Sequence, residues 1–484
     1  MSTDKLVEDL QEVLGDERVR VDLLERDLYL KDASIYGGGR PTAICFPKTT
    51  EEVAGVVRVC AEHEWPFVPR GSGTGLSGGA TPIGNPVIIA TSKMDEIISI
   101  DPEVRIAWVQ PGVLNLDLTN QVAPLGLHYA PDPSSQQVCS IGGNVANNSG
   151  GPHCLAYGVT SAHVVALKVV LPDGSIALLG DESPEPEGYD LRGVFVGSEG
   201  TLGIATEIAV RLTPNPPSVR TILLVFDAVT DGAATVSGII AAGLVPSAME
   251  MMDRAAVQVV EAFTHAGLPT DAAAVLLVEI DGLTEGLAAS EETISEVATA
   301  NNAREIRVAA TPEERELFWK ARKSAFGATS RLAPDYYLHD TVVPRTKLVE
   351  VLEKVYEIVE RYELKVINVL HAGDGNLHPL LSFDSREKGV LERVARAAEE
   401  IMQASLDAGG VLSGEHGIGV EKRDYMARMF SDGDLAAQDT LRACFDPASL
   451  ANPDKIIPEG SRCGDFALAY LATTGKPLPK EVWV

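Results

Sequence analysis

Apolar positions along the first 36 residues recur at three- and four-residue spacing among acidic side chains (LVEDLQEVL), which predicts short amphipathic helices. The pattern then changes. AICFP from Ala43 reads as a strand and residues 51–62 as an amphipathic helix; PFVPR and a glycine loop follow, then VIIAT and RIAWVQPG as further strands, the last closed by Pro111-Gly112. A helix is expected over 114–122. HVVALKVVLPDGSIALLG sets two apolar runs about Asp173-Gly174, a hairpin signal. FVGSEGTLGIATEIAVRLTP ends this first part at Pro214, and NPPSV reads as a boundary. Beyond it strands and helices alternate: TILLVFD, a helix to Ala242, SAMEMMD, a helix to His265, AAVLLVEID, a helix to Ala300, then strands over 337–343 and 366–371. That order predicts an α+β domain with an open, largely antiparallel sheet. The remainder is helical, ending in NPDKI and a Pro-rich tail.

Two polar stretches interrupt the pattern. PRGSGTGLSGGA, residues 69–80, sets Arg70 among five glycines. Glycines let backbone N–H groups turn inward and approach an anion without Cβ obstruction. Gly73, Gly75 and Gly78 meet the GxGxxG spacing, but no helical pattern follows, so this is an anion cradle or a flexible loop rather than a dinucleotide fingerprint. The second stretch, PDPSSQQVCSIGGNVANNSGGPHCLAYG over 131–158, reads as a long loop. Its apolar punctuation favours a functional loop over a disordered one.

At 484 residues the chain is too long for a single core, and two domains are expected. A net charge of −29 argues against nucleic acid and anionic membrane surfaces as partners. An anionic substrate would have to be captured by locally placed Arg, His or metal. The N-terminus lacks the basic start and apolar core of a signal peptide. Residues 232–249 carry no charge, yet Gly243, Pro246 and Ser247 break them into helix, turn and strand rather than a span. A cytoplasmic protein without a transmembrane segment is expected. Six cysteines are scattered with no CxxC pair, so reduced thiols are expected and no iron–sulfur cluster.

His371 and His378 bracket the turn AGDGNL between the apolar runs VINVL and PLLSF, and a hairpin there would bring both imidazoles to one end of a sheet. Glu415 lies between glycines in SGEHGIG. Two imidazoles and a carboxylate form an open divalent-metal site, and solvated or hydrogen-bonded histidines are the alternative. His416 follows directly. A neutral imidazole of pKa about 6.5 suits removal of an alcohol proton, or a hydrogen bond to the metal ligands. Arg322, on the amphipathic stretch FWKARKSAF, reads by itself as a surface residue.

The glycine loop, IGGNVANNSGG (141–151) and VGSEGTLGI (196–204), in this order, resemble the flavin domain of the vanillyl-alcohol-oxidase and p-cresol-methylhydroxylase (PCMH) superfamily of FAD oxidases. HAGDGNLHP, GEHGIG and FDP…NPDKI are similar to its D-2-hydroxyacid dehydrogenase branch, most closely the glycolate-oxidase flavin subunits. The resemblance covers residues from about 40 to 460. It implies a PCMH-type FAD-binding domain of two α+β subdomains over 37–215 and a C-terminal α+β substrate and metal domain over 216–460. A helical segment (1–36) and a tail (461–484) flank them.

In the resemblance, FAD is held non-covalently. Pro69, Arg70, Gly71, Ser72, Gly73, Thr74, Gly75, Leu76 and Gly78 surround the pyrophosphate. Gly142, Gly143, Asn147, Gly150 and Gly151 lie along the ribityl chain and ring system, and Pro131, Asp132 and Ser135 are also among the cofactor residues. Glu199, Gly200, Gly203 and Ile204 complete the adenine and diphosphate side, and Asn452 joins the cofactor residues. Thr74 stands where covalently flavinylated relatives carry histidine, and Cys139 is poorly spaced from Gly142 for a cysteinyl link.

His371, His378 and Glu415 are implied as ligands of zinc, iron or manganese, with His416 as base. Arg322 is implied as the clamp on a substrate carboxylate, with His339 and Asn376 beside it. Phe326 and His339 replace the hydroxyl and amine groups of relatives that act on dicarboxylates, which implies a short 2-hydroxy acid, glycolate or D-lactate. D-2-Hydroxyglutarate is the alternative. A metal-dependent hydrolase on the same ligands would leave both glycine-rich stretches without a role. Electrons would pass to an acceptor other than O2, such as an iron–sulfur partner subunit, and an apolar sheet face would allow a homodimer.

Overall fold

The computed structural model describes residues 3–183, 188–329 and 331–458. The expected tail, with Cys463, lies outside them. The chain forms two compact units: Met1–Gly150, Gly158–Asn215 and Glu415–Val484 make the first, Gly151–Tyr157 and Pro216–Gly414 the second.

In the first unit, Leu6, Leu10 and Leu14 form a buried stripe along the helix Thr3–Leu14, as their four-residue spacing requires. They pack with Val53, Val56, Val57 and Cys60 of the helix Thr50–Glu62, whose N-cap Thr49 accepts from Glu52 N. These helices cover a four-stranded sheet ordered Val19–Arg20, Ala43–Cys45, Val87–Ala90, Phe67–Arg70. Phe67–Arg70 and Val87–Ala90 are parallel, and residues 71–86 join them without a helix. A second sheet of five antiparallel strands contains the expected hairpin, Val164–Val170 with Ile176–Gly180.

The long loop expected over 131–158 contains two short helices, Ile141–Asn147 and Cys154–Tyr157. Two glycines at a helix start argue against helix by propensity. Tertiary contact overrides this: Ser140 caps Gly143 N, and a Cβ at Gly142 would lie 2.4 Å from Pro111 Cβ.

The chain from Glu415 onward, expected within the 216–460 domain, belongs to the first unit. Phe67 N donates to Leu450 O (2.9 Å) and Asn452 N to Phe67 O (2.8 Å), which extends the four-stranded sheet. Buried Lys455 donates to Thr81 O at 2.7 Å, and burial lowers its pKa to about 8. Local patterning does not reveal pairings between residues hundreds of positions apart.

The second unit is built on an eight-stranded, wholly antiparallel sheet. Its path runs Glu305–Val308, Ser218–Phe226, Ala274–Gly282, Ala248–Asp253, Lys365–His371, Asn376–Phe383, Asp335–Leu338, with Thr341–Val342 also on Asn376–Phe383. One face packs on the helices Arg254–Thr264 and Pro312–Thr329, through Val257, Val260, Phe318, Ala321 and Ala325 against Leu223, Met252, Leu277, Val369 and Leu380. The uncharged stretch over 232–249 falls in the helix Val229–Ala241, a turn and the strand Ala248–Asp253. No described helix is long and apolar enough to cross a membrane.

Candidate active site

In the second unit, register brings four polar side chains together. Glu250 stands opposite His371, His371 opposite Asn376, and Val369 opposite His378. Cross-strand partners share a face and strands alternate with period two. Glu250, His371, Asn376 and His378 therefore lie on the face that Pro312–Thr329 covers, and all four are buried.

The histidines are held in a defined tautomer. His371 Nδ1 lies 2.8 and 3.0 Å from the Glu250 oxygens, and His378 Nδ1 lies 3.1 Å from His339 O. Both partners only accept, so each Nδ1 carries the proton and each lone pair sits on Nε2. The rings meet edge to face with centroids 5.1 Å apart. Neutral imidazoles anchored through Nδ1 are the form a metal ion takes, so the donor set here fits the metal ligands expected from the motif.

Arg322, buried rather than on the surface, pairs with Glu250 from the covering helix. Its Nε is buried without a hydrogen-bond partner among the described residues. Two turns earlier on the same helix, Arg315 grips Glu279 of the adjacent strand at 2.8 and 2.9 Å. Trp319 Nε1 (2.5 Å), Thr221 Oγ1 (2.6 Å) and His153 Nε2 (3.3 Å) complete the set around Glu279. Burial alone would raise the Glu279 pKa, but the bonds from His153 and Arg315 prevail and hold it at about 2.

Glu250 is absent from the sequence reading. Its signal was a lone carboxylate amid AMEMM, a run buried throughout, where an acid requires a partner.

The structure also corrects His339. Its N–H donates to Pro379 O at 3.0 Å, and its ring meets Tyr337 edge to face at 5.0 Å. Strand alternation puts both rings on the face away from Arg322 and His378. Asp340 comes to the His378 side instead, with Oδ1 4.0 Å from Nδ1. Asp340 also accepts from Ser413 Oγ at 2.6 Å and Gly414 N at 3.1 Å, which fixes the chain just before Glu415. Phe326, one turn beyond Arg322, packs on Tyr336 with centroids 5.1 Å apart.

In the first unit the two glycine-rich stretches meet: a Cβ at Gly71 would lie 2.3 Å from Ser140 Oγ and 3.6 Å from Gly143 N. The Arg70 guanidinium fills the cradle from within. It donates to Lys31 O (3.0 Å) and Ala80 O (3.4 Å) and lies 5.1 Å from the centre of the Tyr29 ring. Gly73 wraps over it at φ +72°, where a Cβ would strike Nη2. Arg70 thus shapes the loop, and Ser72, Thr74, Gly75 and Leu76 form its half-buried to exposed rim.

Around this loop, Pro131 O accepts from Asn115 Nδ2 at 2.9 Å, Asp132 is buried, and Ser135 O closes the turn to Val138 and Cys139. Gly200, at φ +76°, lies against Pro69, and Gly203 leads into the strand Ile204–Arg211. Gly150 ends a segment of the first unit and Gly151 begins one of the second. Cys139 is buried with its thiol against Asn144, and burial raises its pKa.

Asn147 and Glu199, expected beside the cofactor, direct their side chains to the loop carrying His416. Asn147 Nδ2 (2.8 Å) and Ser77 Oγ (2.9 Å) both donate to His416 O. Glu199 accepts from Ile418 N (2.6 Å) and Gly419 N (2.8 Å). Asn452 Nδ2 in turn donates to Glu199 O at 2.6 Å and Gly79 O at 2.8 Å.

The FAD binding domain family matches residues 41–180, and the family of FAD linked oxidases, C-terminal domain, matches residues 215–456. The chain belongs to the FAD-linked oxidases. Glycolate oxidase subunit GlcD of Escherichia coli K12 is 43% identical to this oxidase over 441 residues, covering 91% of this chain and 88% of its own. D-Lactate dehydrogenase of Anaerostipes hadrus is 35% identical over 463 residues, covering 94% and 97%. Substrate-bound p-cresol methylhydroxylase superposes with a TM-score of 0.82 over 95% of this chain and 98% of its own, at 18% identity, a likeness of fold.

One property of this oxidase follows from Glu199 alone. Burial, partly offset by the N–H groups of Ile418 and Gly419, raises its pKa from 4.5 to about 7. A raised carboxyl contributes stability that is complete below the unfolded value and is lost as pH rises through the folded one. The expected result is a thermal midpoint that falls between about pH 4.5 and 7. In Glu199→Gln that part of the slope disappears. Thermal unfolding of both proteins across this range checks it, and equal slopes would refute it.

Proposed function

We propose that this FAD-linked oxidase converts a short D-2-hydroxy acid, glycolate or D-lactate, to the 2-oxo acid. The supporting observation is the second-unit cluster: two buried imidazoles with Nδ1 anchored, beside a buried guanidinium whose Nε has no partner among the described residues. In this reading His371, His378 and Glu415 hold a divalent ion of zinc, iron or manganese, which supplies Lewis acidity toward the substrate oxygens. Arg322 binds the carboxylate through its Nε, in a charge-assisted hydrogen bond. Asn376 Oδ1, buried without a partner among the described residues, offers an acceptor on the same face. His416 takes the hydroxyl proton onto its imidazole; its Nε2 lies 3.8 Å from Glu415 Oε1. FAD, which the 69–78 and 131–151 stretches would hold, would supply the two-electron oxidant for the hydrogen that leaves C2 as hydride.

Two curated relatives are named for glycolate and D-lactate, which supports this substrate class. The correction at His339 leaves Phe326 as the residue of this chain that argues for a short substrate. For the electron acceptor we propose a partner protein, such as an iron–sulfur subunit. Of the described cysteines, Cys45, Cys60 and Cys139 are buried, and the E. coli relative is itself named a subunit. A cytoplasmic location completes the reading.

Anaerobic titration with glycolate, D-lactate, L-lactate and D-2-hydroxyglutarate tests it. Bleaching of the flavin band by the first two is expected. Bleaching chiefly by D-2-hydroxyglutarate would overturn the short-substrate reading, and a preparation that takes up no FAD would overturn the reaction.

A further inference from the structure

The pairing of a helix arginine with a strand glutamate occurs twice on this face, and the two pairs differ in one respect. Around Glu279 the donors are Arg315, Trp319, Thr221 and His153, and both carboxylate oxygens are saturated. Glu250, one strand away, is equally buried but receives Arg322 and His371. There the arginine keeps a buried Nε without a partner among the described residues, whereas the Nε of Arg315 is bonded to Glu279. The Glu279 cluster is complete in itself, whereas the Glu250 cluster leaves a donor for something else.

We propose that Glu250 is the positioning residue that couples the substrate-binding arginine to a metal-binding histidine. The proposal rests on the reading of Arg322 and His371 given above. One carboxylate does two things. Toward His371 it accepts the Nδ1 proton, so the lone pair is kept on Nε2 and the ring is fixed for ligation. Toward Arg322 it balances a buried charge and holds Nη2, which leaves Nε as the donor for an incoming carboxylate. The two loads act on the same oxygens. Weakening Glu250 therefore weakens metal and carboxylate binding together, although Glu250 itself touches neither.

Glu250→Gln in the FAD-loaded enzyme tests this. The amide keeps the shape but cannot accept from both donors as a carboxylate does. The expected result is a ten- to hundredfold weaker metal affinity, measured by zinc and manganese titration with metal analysis. A parallel loss of oxalate affinity, read from the shift of the flavin spectrum, is expected, with FAD content unchanged. Glu279→Gln serves as comparison: it lowers the thermal midpoint while leaving metal and oxalate affinity within twofold.

If Glu250→Gln does not accumulate as folded protein, Glu250→Asp retains the charge but withdraws it by one methylene. The same joint loss is expected there. Metal and oxalate affinities both within twofold of the parent, or a change in only one of them, would overturn the coupling. A parent enzyme that binds neither zinc nor manganese would instead overturn the reading of His371 and His378, a separate outcome.

Discussion

Replacing His416 with alanine is expected to slow flavin reduction by D-lactate by roughly 10²- to 10⁴-fold, the range for losing a positioned general base. The substitution tests chemistry rather than folding because the backbone around it is fixed independently. His416 O accepts from Ser77 and Asn147, and the next two N–H groups but one go to Glu199. None of these bonds uses the imidazole, so the loop and FAD content should survive. Stopped-flow measurement of the reductive half-reaction checks it. A variant rate within a factor of ten of the parent would remove His416 as the base.

The sequence and the structure agree where the determinants are local. A two-residue period and an AGDGNL turn are enough to place His371 and His378 on adjacent strands, and Asp173-Gly174 is enough for its hairpin. Four-residue leucine spacing predicts the first helix. What stayed hidden depends on partners far along the chain. Glu250 matters because two neighbouring elements, a strand more than a hundred residues away and a helix, deliver His371 and Arg322 to it. Asn147 and Glu199 sit in motifs that the resemblance ties to flavin, but their side chains go to residues more than two hundred positions later.

His339 shows the opposite failure. The resemblance puts His339 at the substrate, and period-two alternation makes one position decisive: the neighbouring Asp340 is the one that comes to the His378 side. The segment from Glu415 onward follows the second unit in sequence yet packs on the first, because its hydrogen bonds are to Phe67, Ser77, Thr81 and Glu199.

Arg322→Ala is the second large expectation, and it separates two consequences of one side chain. Removing the guanidinium leaves the buried Glu250 carboxylate without its cation, which costs about 3–5 kcal/mol of unfolding free energy for a broken buried pair. Urea unfolding should show a midpoint lowered by that free energy divided by the m-value. In the same variant the loss of a charge-assisted contact to substrate should lower kcat/KM for D-lactate roughly ten- to hundredfold. The two effects respond differently to a second change. In the double variant with Glu250→Gln the stranded charge is gone, so much of the stability returns. Catalysis does not return, because no donor for the substrate carboxylate has been restored. Recovery of both together would mean that Arg322 serves only to neutralise Glu250. Recovery of stability alone, with activity compared at saturating metal and against the Glu250→Gln single variant, assigns it to the substrate, and Arg322→Lys should then remain impaired, since an ammonium cannot both hold Glu250 and present a guanidinium edge.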